Sequence, residues 1–226
     1  MAQKHEPAQP DLPDQQEAAP EPGWLAPELG EEFPGLGIFT TTVAAGPGRS
    51  PEALRERLRE LSDRFAGQQA IVLRQRPIPW AYRVFFRHIG LDPDDTRTPV
   101  EQVAFERMHD GRFKTRNRLD DALTIATAEV GVALQAFDAD SLEGRLGLRL
   151  SADGEHFEGR VSPLPTGTIV IADERRALAI LFGKVAEGVS VQRTTRRTTL
   201  AAIRVKGVPD VALEEALWLA SSAMLA

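Results

Sequence analysis

Two stretches of the sequence carry the cations and hydroxyl groups that bind phosphate. Residues 74–118 contain ten arginine and lysine residues, and residues 192–207 read QRTTRRTTLAAIRVKG. Phosphate binding needs Lys, Arg and hydroxyl donors that converge on one place, and both stretches supply them. The alternative is a set of solvated surfaces on which cations pair with nearby acids. Composition alone favours that alternative, so the elements that position these side chains decide the question.

The segment 79–89 interleaves aromatic and cationic side chains. It reads PWAYRVFFRHI. Aromatic rings among arginines can stack on RNA bases and clamp phosphates. At helical spacing, Phe85 and Phe86 are predicted to belong to the core, whereas Arg83 or Arg87 is a candidate for a functional cleft.

Several classes of site are disfavoured. The chain has no cysteine, and its histidines (His5, His88, His109 and His156) are scattered, so neither a zinc site nor any other metal centre is predicted. There is no Gly-x-Ser-x-Gly elbow and no glycine-rich phosphate loop. We therefore expect no cofactor and no metal.

Charge is distributed unevenly along the 226 residues. Residues 1–32 hold one cation and eight acids, whereas residues 33–226 hold 26 cations and 25 acids. Residues 1–23 are rich in Pro, Gln, Glu and Ala and are predicted to form a disordered acidic tail. Residues 24–226 are predicted to form one domain. No apolar run approaches the ~20 residues of a membrane span, no signal pattern begins the chain, and a cytoplasmic location is expected.

Local patterns predict helices in the first half of the chain, then mostly strands and a final helix. Predicted N-caps are Ser50, Thr98, Asp120 or Asp121, and Asp210, and predicted helix ends are Gly67, Gly90, Gly111 and Gly131. Predicted strands span 35–45, 132–137, 145–150, 168–172 and 178–182, with a last one from Leu200. This order predicts an α+β fold, with a mixed β-sheet and flanking helices.

A series of short motifs between residues 79 and 205 resembles the B3/B4 domain of the phenylalanyl-tRNA synthetase beta subunit, a module that also occurs as freestanding proteins. The first motifs are Tyr82-Arg83, Phe86, Gly90, Asp92-Pro93, Thr98, Arg107 and Gly111. They are followed by Asn117, Asp120, Gly131, Phe137-Asp138, Gly154-Glu155, Phe157, Gly167 through Asp173, and the threonines of 194–199.

Three positions depart from the family's pattern. The second asparagine of the pattern is Leu123, and the histidine before alanine-phenylalanine-aspartate is Gln135. The glycine-glycine-glutamate run is matched loosely by Phe182-Gly183-Lys184, with Glu187 offset.

In the synthetase, this module receives the 3′ end of tRNA(Phe) and hydrolyses wrongly attached tyrosine. The resemblance therefore implies a partner that is tRNA or aminoacyl-tRNA, and hydrolysis of mischarged aminoacyl-tRNA in trans. It implies that donors to the tRNA end or the ester lie at or near a cleft, namely Arg83, Arg116, Asn117, Thr195 and Thr198. Glu187 is a candidate partner for a phenolic hydroxyl, with a plain surface acid as the alternative. Asp120 and Asp138 are expected to fix a helix start and a turn, and no catalytic residue is assigned.

Two other interpretations stay open. One is an RNA-binding module that kept the cleft and lost hydrolysis, which Leu123 and Gln135 favour. The other is a pocket for a small molecule such as an aromatic amino acid. The sequence fixes neither the oligomeric state nor the tRNA.

Overall fold

Two four-stranded sheets and six α-helices make up the part of the chain that the computed structural model describes, residues 19–65 and 72–226. The helices are α1 (Pro27–Glu32), α2 (Glu52–Arg64), α3 (Pro77–His88), α4 (Pro99–Asp110), α5 (Arg118–Val130) and α6 (Asp210–Leu225). The strands are β1 (Glu21–Pro22), β2 (Trp24–Leu25), β3 (Gly37–Val43), β4 (Leu134–Asp138), β5 (Gly147–Leu150), β6 (Ile169–Ala172), β7 (Ala177–Ile180) and β8 (Thr198–Arg204). The predicted α+β class is confirmed.

The two sheets differ in how their strands pair. The first has the order β1-β3-β8-β4 and is antiparallel throughout, whereas the second has the order β2-β5-β6-β7 and contains one parallel pair, β2 with β5. Helices α5 and α6 pack on each other, and α6 packs on β3 and β8. Every residue of β8 except Arg204 is buried, as expected for a strand that lies between two others beneath these helices.

The helix ends agree with the local signals where a single residue could supply the cap. Thr98 and Glu101 form the predicted capping box of α4, and Gly111 and Gly131 end α4 and α5 in the left-handed conformation. The predicted end of α2 at Gly67 lies outside the described residues, and α2 itself ends at Arg64.

Other predicted caps are wrong because the polar side chain has a better partner elsewhere. The hydroxyl of Ser50 donates to the Asp121 carboxylate at 2.6 Å, and α2 starts at Glu52. Helix α5 is capped by Asn117, whose Oδ1 accepts from the Asp120 backbone N–H at 2.9 Å, so α5 starts three residues earlier than predicted. Asp210 is the first residue of α6 and pairs with Arg204 at 2.9 Å.

The chain before the first helix joins both sheets. Glu21 and Pro22 pair with Thr40 and Phe39 of β3, and the next two residues, Trp24 and Leu25, pair with β5 of the second sheet. Residues 1–18 of the predicted acidic tail lie outside the described residues. The short segment 21–25 thus bridges the edges of the two sheets.

The hydroxyl of Tyr82 connects α3 to the first sheet. It donates to the carbonyl of Ile203 at 2.5 Å and accepts from the backbone N–H of Ala133 at 3.1 Å, and the residue is 1% exposed. Burial raises the pKa of Tyr82, and the hydrogen bond from Ala133 only partly opposes this. The neutral phenol therefore satisfies two buried backbone groups just before β4 and within β8.

We expect Tyr82→Phe to lower the free energy of unfolding at pH 7 by roughly 1–3 kcal/mol, because two buried backbone groups lose their partner. Above about pH 10 the unfolded tyrosine ionises while the folded one stays neutral, so the unfolded state binds fewer protons and the wild type loses stability as the pH rises. The difference between the two proteins should therefore narrow at alkaline pH. Urea unfolding at both pH values measures this, with Trp218→Phe on an exposed helix surface as the control. A constant difference at both pH values would contradict the pKa direction.

Candidate functional site

A cleft of about 370 Å³ lies between α4, α5 and the open edge of β4. Its volume falls within the roughly 300–1,000 Å³ typical of ligand pockets. We call it the α5–β4 cleft. Its lining consists of Arg97, Pro99, Gln102, Val103, Arg116, Asp120, Leu123, Thr124, Thr127, Ala133, Leu134, Gln135, Phe182 and Gly183.

One face of α5, the edge strand β4 and the turn after β7 supply much of this lining. Asp120, Leu123, Thr124 and Thr127 are spaced three, one and three residues apart, which places them on one face of α5. Strand β4 is the last strand of its sheet, so residues 133–135 border the cleft instead of another strand. The turn after β7 closes the cleft with residues 182 and 183.

The N-terminal end of α5 is held by reciprocal hydrogen bonds. The Asn117 side-chain N–H donates to the Asp120 carboxylate at 2.8 Å, while the Asp120 backbone N–H donates to Asn117 Oδ1 at 2.9 Å. The Arg116 backbone N–H donates to the buried Asp121 carboxylate at 2.9 Å, and its guanidinium pairs with Glu106 at the surface. Asn117 therefore orients Asp120, and Asp120 rather than Asn117 lines the cleft.

Gln135 and the turn at Phe182 form the opposite wall. The Gln135 Nε2 donates to the carbonyl of Gly183 at 3.2 Å, and its Oε1 is buried without a partner. Phe182 has a φ of 58°, a left-handed conformation that a bulky residue adopts only at a cost. Its ring packs on Tyr82, Phe85 and Phe86, with centroid separations of 5.8, 6.1 and 5.1 Å. These aromatic contacts hold the strained turn in place.

The lining of the cleft consists of hydrogen-bonding side chains and apolar side chains. Its lining contains two guanidinium groups, one carboxylate, two threonine hydroxyls and two carboxamides, and it includes no His, Cys or Ser. Such a site can bind an acylated, anionic ligand and position a water, but it offers no strong protein nucleophile.

Of the six residues proposed from the sequence, only Arg116 lines the cleft. Arg83 is 5% exposed and donates to Glu101 at 2.5 Å and to Asp94 at 2.7 Å, between α3 and α4. The Arg83 guanidinium holds the pKa of the Asp94 carboxyl below its usual range. Glu187 is exposed on a short 3-10 helix next to Gly159, away from the cleft lining.

The two threonines hold a loop instead. The Thr195 hydroxyl donates to Asp138 at 2.6 Å and accepts from the Gln192 N–H at 3.0 Å. The Thr198 hydroxyl donates to the carbonyl of Ala45 at 2.7 Å, and its side chain is buried. Both residues fix the arginine-containing segment 192–197.

Several cleft residues were not proposed from the sequence. Arg97, Gln102, Thr124 and Thr127 belong to no motif that marks them. The positions that depart from the family's pattern were a usable signal, because Leu123, Gln135 and the pair Phe182-Gly183 all line this one cleft.

A second cavity, of about 660 Å³, lies between the start of α3, the end of α5 and residues 207–209. Its lining is mostly apolar, and one of its two charged residues, Glu129, already pairs with Arg57 and Arg64. It is larger but offers fewer groups for chemistry. Within residues 19–65 and 72–226, no cluster of three or more His, Cys, Asp or Glu is placed to hold a metal. No helix in that part of the chain is both long and apolar enough to cross a bilayer.

Sequence comparisons relate the chain to known proteins. The B3/4 domain family model matches residues 81–212, which is more than half of the chain and includes every residue of the cleft lining. The phenylalanine–tRNA ligase beta subunit of Legionella pneumophila (strain Lens) is 28% identical over 109 residues, 47% of this chain and 14% of that protein. The corresponding subunit of Bartonella henselae is 33% identical over 109 residues (47% and 12%), and that of Mannheimia succiniciproducens is 36% identical over 103 residues (43% and 13%). The chain thus matches less than a sixth of the length of these curated relatives.

The structural role of Arg83 can be tested by comparison with Arg116, because Arg83 is buried and Arg116 is exposed. Arg83→Ala removes the buried cation that pairs with Glu101 at 2.5 Å and leaves the Glu101 carboxylate with Thr98 and the exposed Arg74, so we expect the free energy of unfolding to fall by on the order of 2 kcal/mol. Arg116→Ala removes only a surface pair and should change it by less than about 0.5 kcal/mol. Urea unfolding of the two variants measures both values. Equal losses would contradict the structural role of Arg83.

Proposed function

The chain belongs to the B3/4 domain family, and from that membership we propose that it binds the 3′ end of an aminoacyl-tRNA in the α5–β4 cleft and hydrolyses the ester in trans. One observation carries this proposal. The segment from Arg116 to Gln135, which holds the family's asparagine, aspartate and glycine positions, wraps the cleft on two sides. Two arginines line the cleft, Arg116 at the start of this segment and Arg97 just before α4.

The charges of the cleft suit an RNA end. Arg97 and Arg116 are exposed, and Arg97 stacks over the Phe105 ring at 3.8 Å. A guanidinium held flat on a ring keeps its N–H groups available for phosphate or for a sugar hydroxyl. The remaining lining includes the apolar side chains of Leu123, Leu134 and Phe182, which are suited to the side chain of the acyl group.

Hydrolysis at such a site depends on position rather than on a reactive side chain. An aminoacyl ester is already activated, so a water held by hydroxyl and amide groups can attack it. Donors close to the ester oxygen then stabilise the charge that develops there. Arg116, Thr124 and Thr127 supply donors on the α5 side of the cleft.

Recognition of a phenolic hydroxyl needs a polar partner inside the cleft, because a site that hydrogen-bonds a hydroxyl rejects the analogue that lacks it. Glu187 lies outside the lining. Within the cleft, the groups able to accept from a hydroxyl are the Asp120 carboxylate, the threonine hydroxyls and the carboxamides of Gln102 and Gln135. Gln135 takes the position of the family's histidine, so we place the recognition of the acyl side chain there.

A second candidate function is tRNA binding without hydrolysis. The observation that favours it is the replacement of the family's asparagine and histidine by Leu123 and Gln135, both in the cleft wall. Leu123 removes an amide that could hold a water or the ester oxygen, and Gln135 removes an imidazole that could transfer a proton.

A deacylation assay with tRNA(Phe) carrying tyrosine or phenylalanine tests the proposal. We expect the wild type to speed loss of the tyrosyl ester over buffer, and Arg116→Ala to reduce the rate by about tenfold, equivalent to ~1.4 kcal/mol. Arg175→Ala is the matched control, because Arg175 is an exposed arginine paired with Glu143 at the other sheet. Salt-dependent binding without turnover would favour the non-catalytic function. Absence of tRNA binding, together with a rise in melting temperature on adding free tyrosine, would favour a small-molecule pocket.

Restoring the family's residues separates the two candidate functions further. The double variant Leu123→Asn, Gln135→His places an amide and an imidazole back in the cleft wall, so we expect faster hydrolysis than in the wild type under single-turnover conditions. Its rate should rise as the pH approaches and passes the imidazole pKa of about 6.5. An unchanged rate and pH profile would show that these two positions do not limit hydrolysis.

A further inference from the structure

Three loops meet beside the N-terminal end of α5. The backbone N–H of Arg118 donates to the carbonyl of Gly48 at 2.8 Å, so the segment 114–118 contacts the segment 45–50. The segment 45–50 also contacts the segment 192–197, because the carbonyl oxygen of Thr195 lies against Gly46 and a side chain at position 46 would collide with it. The two cationic stretches of the sequence are thus joined through a loop that contains two glycines.

Buried hydrogen bonds fix these loops. The Thr198 hydroxyl holds the carbonyl of Ala45, and the Ser50 hydroxyl holds the Asp121 carboxylate. The Thr195 hydroxyl holds Asp138. Each end of the 45–50 loop is therefore tied to the protein body, so the loop is set in one conformation before any ligand arrives.

The exposed ends of these loops are arginines without acid partners. Arg49, Arg193 and Arg196 are exposed, and none pairs with a carboxylate within residues 19–65 and 72–226. Arg118 donates to the carbonyl of Met224 and has no carboxylate partner in the described part of the chain. The nearby carboxylates of Asp121 and Asp138 are occupied by Ser50 and Thr195, and Asp140 pairs with Arg197.

Some exposed arginines elsewhere are paired with acids, whereas others, such as Arg76 and Arg112, also have no carboxylate partner within the described residues. Arg59 pairs with Glu52 and Glu56, Arg64 with Glu129, and Arg175 with Glu143. The loop arginines are distinguished by lying on three segments that contact one another. Uncompensated guanidinium groups on preformed loops provide a surface complementary to anions.

We propose that Arg49, Arg118, Arg193 and Arg196, the three-loop surface, bind the backbone phosphates of the RNA strand whose 3′ end occupies the α5–β4 cleft. This inference rests on the proposed function, and it assigns a second contact region outside the cleft. Continuity supports it, since the segment 114–118 supplies Arg116 to the cleft and Arg118 to the surface.

The arginines of the three-loop surface predict which part of an RNA it binds. Arginine forks match phosphate oxygens, and phosphate contacts fix the register of a strand without reading its bases. The three-loop surface therefore binds tRNAs of different identity alike and presents the acceptor end to the cleft. Selection among acyl groups stays with the cleft.

The test uses the full chain and compares two triple variants with the same change in net charge. The first, Arg49→Ala with Arg193→Ala and Arg196→Ala, removes the exposed part of the surface. The second, Arg59→Ala with Arg64→Ala and Arg175→Ala, removes paired arginines elsewhere. Filter binding of a charged tRNA over a range of salt gives the affinity and its salt dependence, and hydrolysis of an aminoacyl-adenosine without phosphate probes the cleft alone.

We expect the first variant to bind tRNA at least about tenfold more weakly and to lose about 2 from the slope of log K against log salt, at ~0.7–0.9 per phosphate contact. Its activity on the aminoacyl-adenosine should stay within about twofold of the wild type. The second variant should match the wild type in both assays.

Two results would contradict RNA binding by the three-loop surface and leave the proposed function intact. One is wild-type affinity and salt dependence in the first variant, and the other is an equal loss of tRNA affinity in both variants. Failure of the wild type to bind tRNA at any salt concentration would overturn the proposed function and the surface together.

Discussion

The buried carboxylate of Asp121 is the group on which both the cleft and the arginine loops depend. It is 1% exposed and accepts hydrogen bonds from the Ser50 hydroxyl and the Arg116 backbone N–H. A buried carboxylate is stable only when such donors surround it, so these contacts are strongly favoured once the helix has packed. Through this one side chain, the loop before α2 and the segment before α5 are fixed relative to each other. Arg116 on one side and Arg49 on the other are placed accordingly.

Much of the fold follows from local chemistry. The predicted helix ends agree with the structure where one local signal stands alone. Thr98 and Glu101 cap the start of α4, and Gly111 and Gly131 end α4 and α5. The start of α5 could not be predicted from local sequence, because Asn117, Asp120 and Asp121 are all residue types that commonly cap helices. The choice is made by Ser50, 71 residues away, which engages Asp121 and leaves Asn117 to cap the helix. A contact of that range is not encoded in any local pattern.

The candidate site shows the same limit more clearly. Arg83 and Arg116 have the same side chain, yet one is enclosed by Glu101 and Asp94 and the other lies open in a cleft. The difference lies in their partners, because Arg83 meets two carboxylates inside the protein whereas Arg116 meets only Glu106 at the surface. Thr195 and Thr198 were expected at or near the cleft as ligand-binding groups, whereas their hydroxyls donate to the Asp138 carboxylate and to the carbonyl of Ala45, and neither residue lines the cleft. The departures from the family's pattern were the most informative positions, because Leu123, Gln135 and the pair Phe182-Gly183 all line the α5–β4 cleft.

The backbone at Phe182 has a consequence for how the cleft adapts to its contents. A left-handed conformation at a bulky residue is retained only while the surrounding structure compensates for it, and three rings from α3 do so here. The position of this wall, and with it the width of the cleft, is therefore set by the packing of Phe182 on the rings of α3 and not by a bound ligand. The Phe182 wall would exclude a ligand that is larger than the cleft by steric clash, and this exclusion needs no conformational change of the protein.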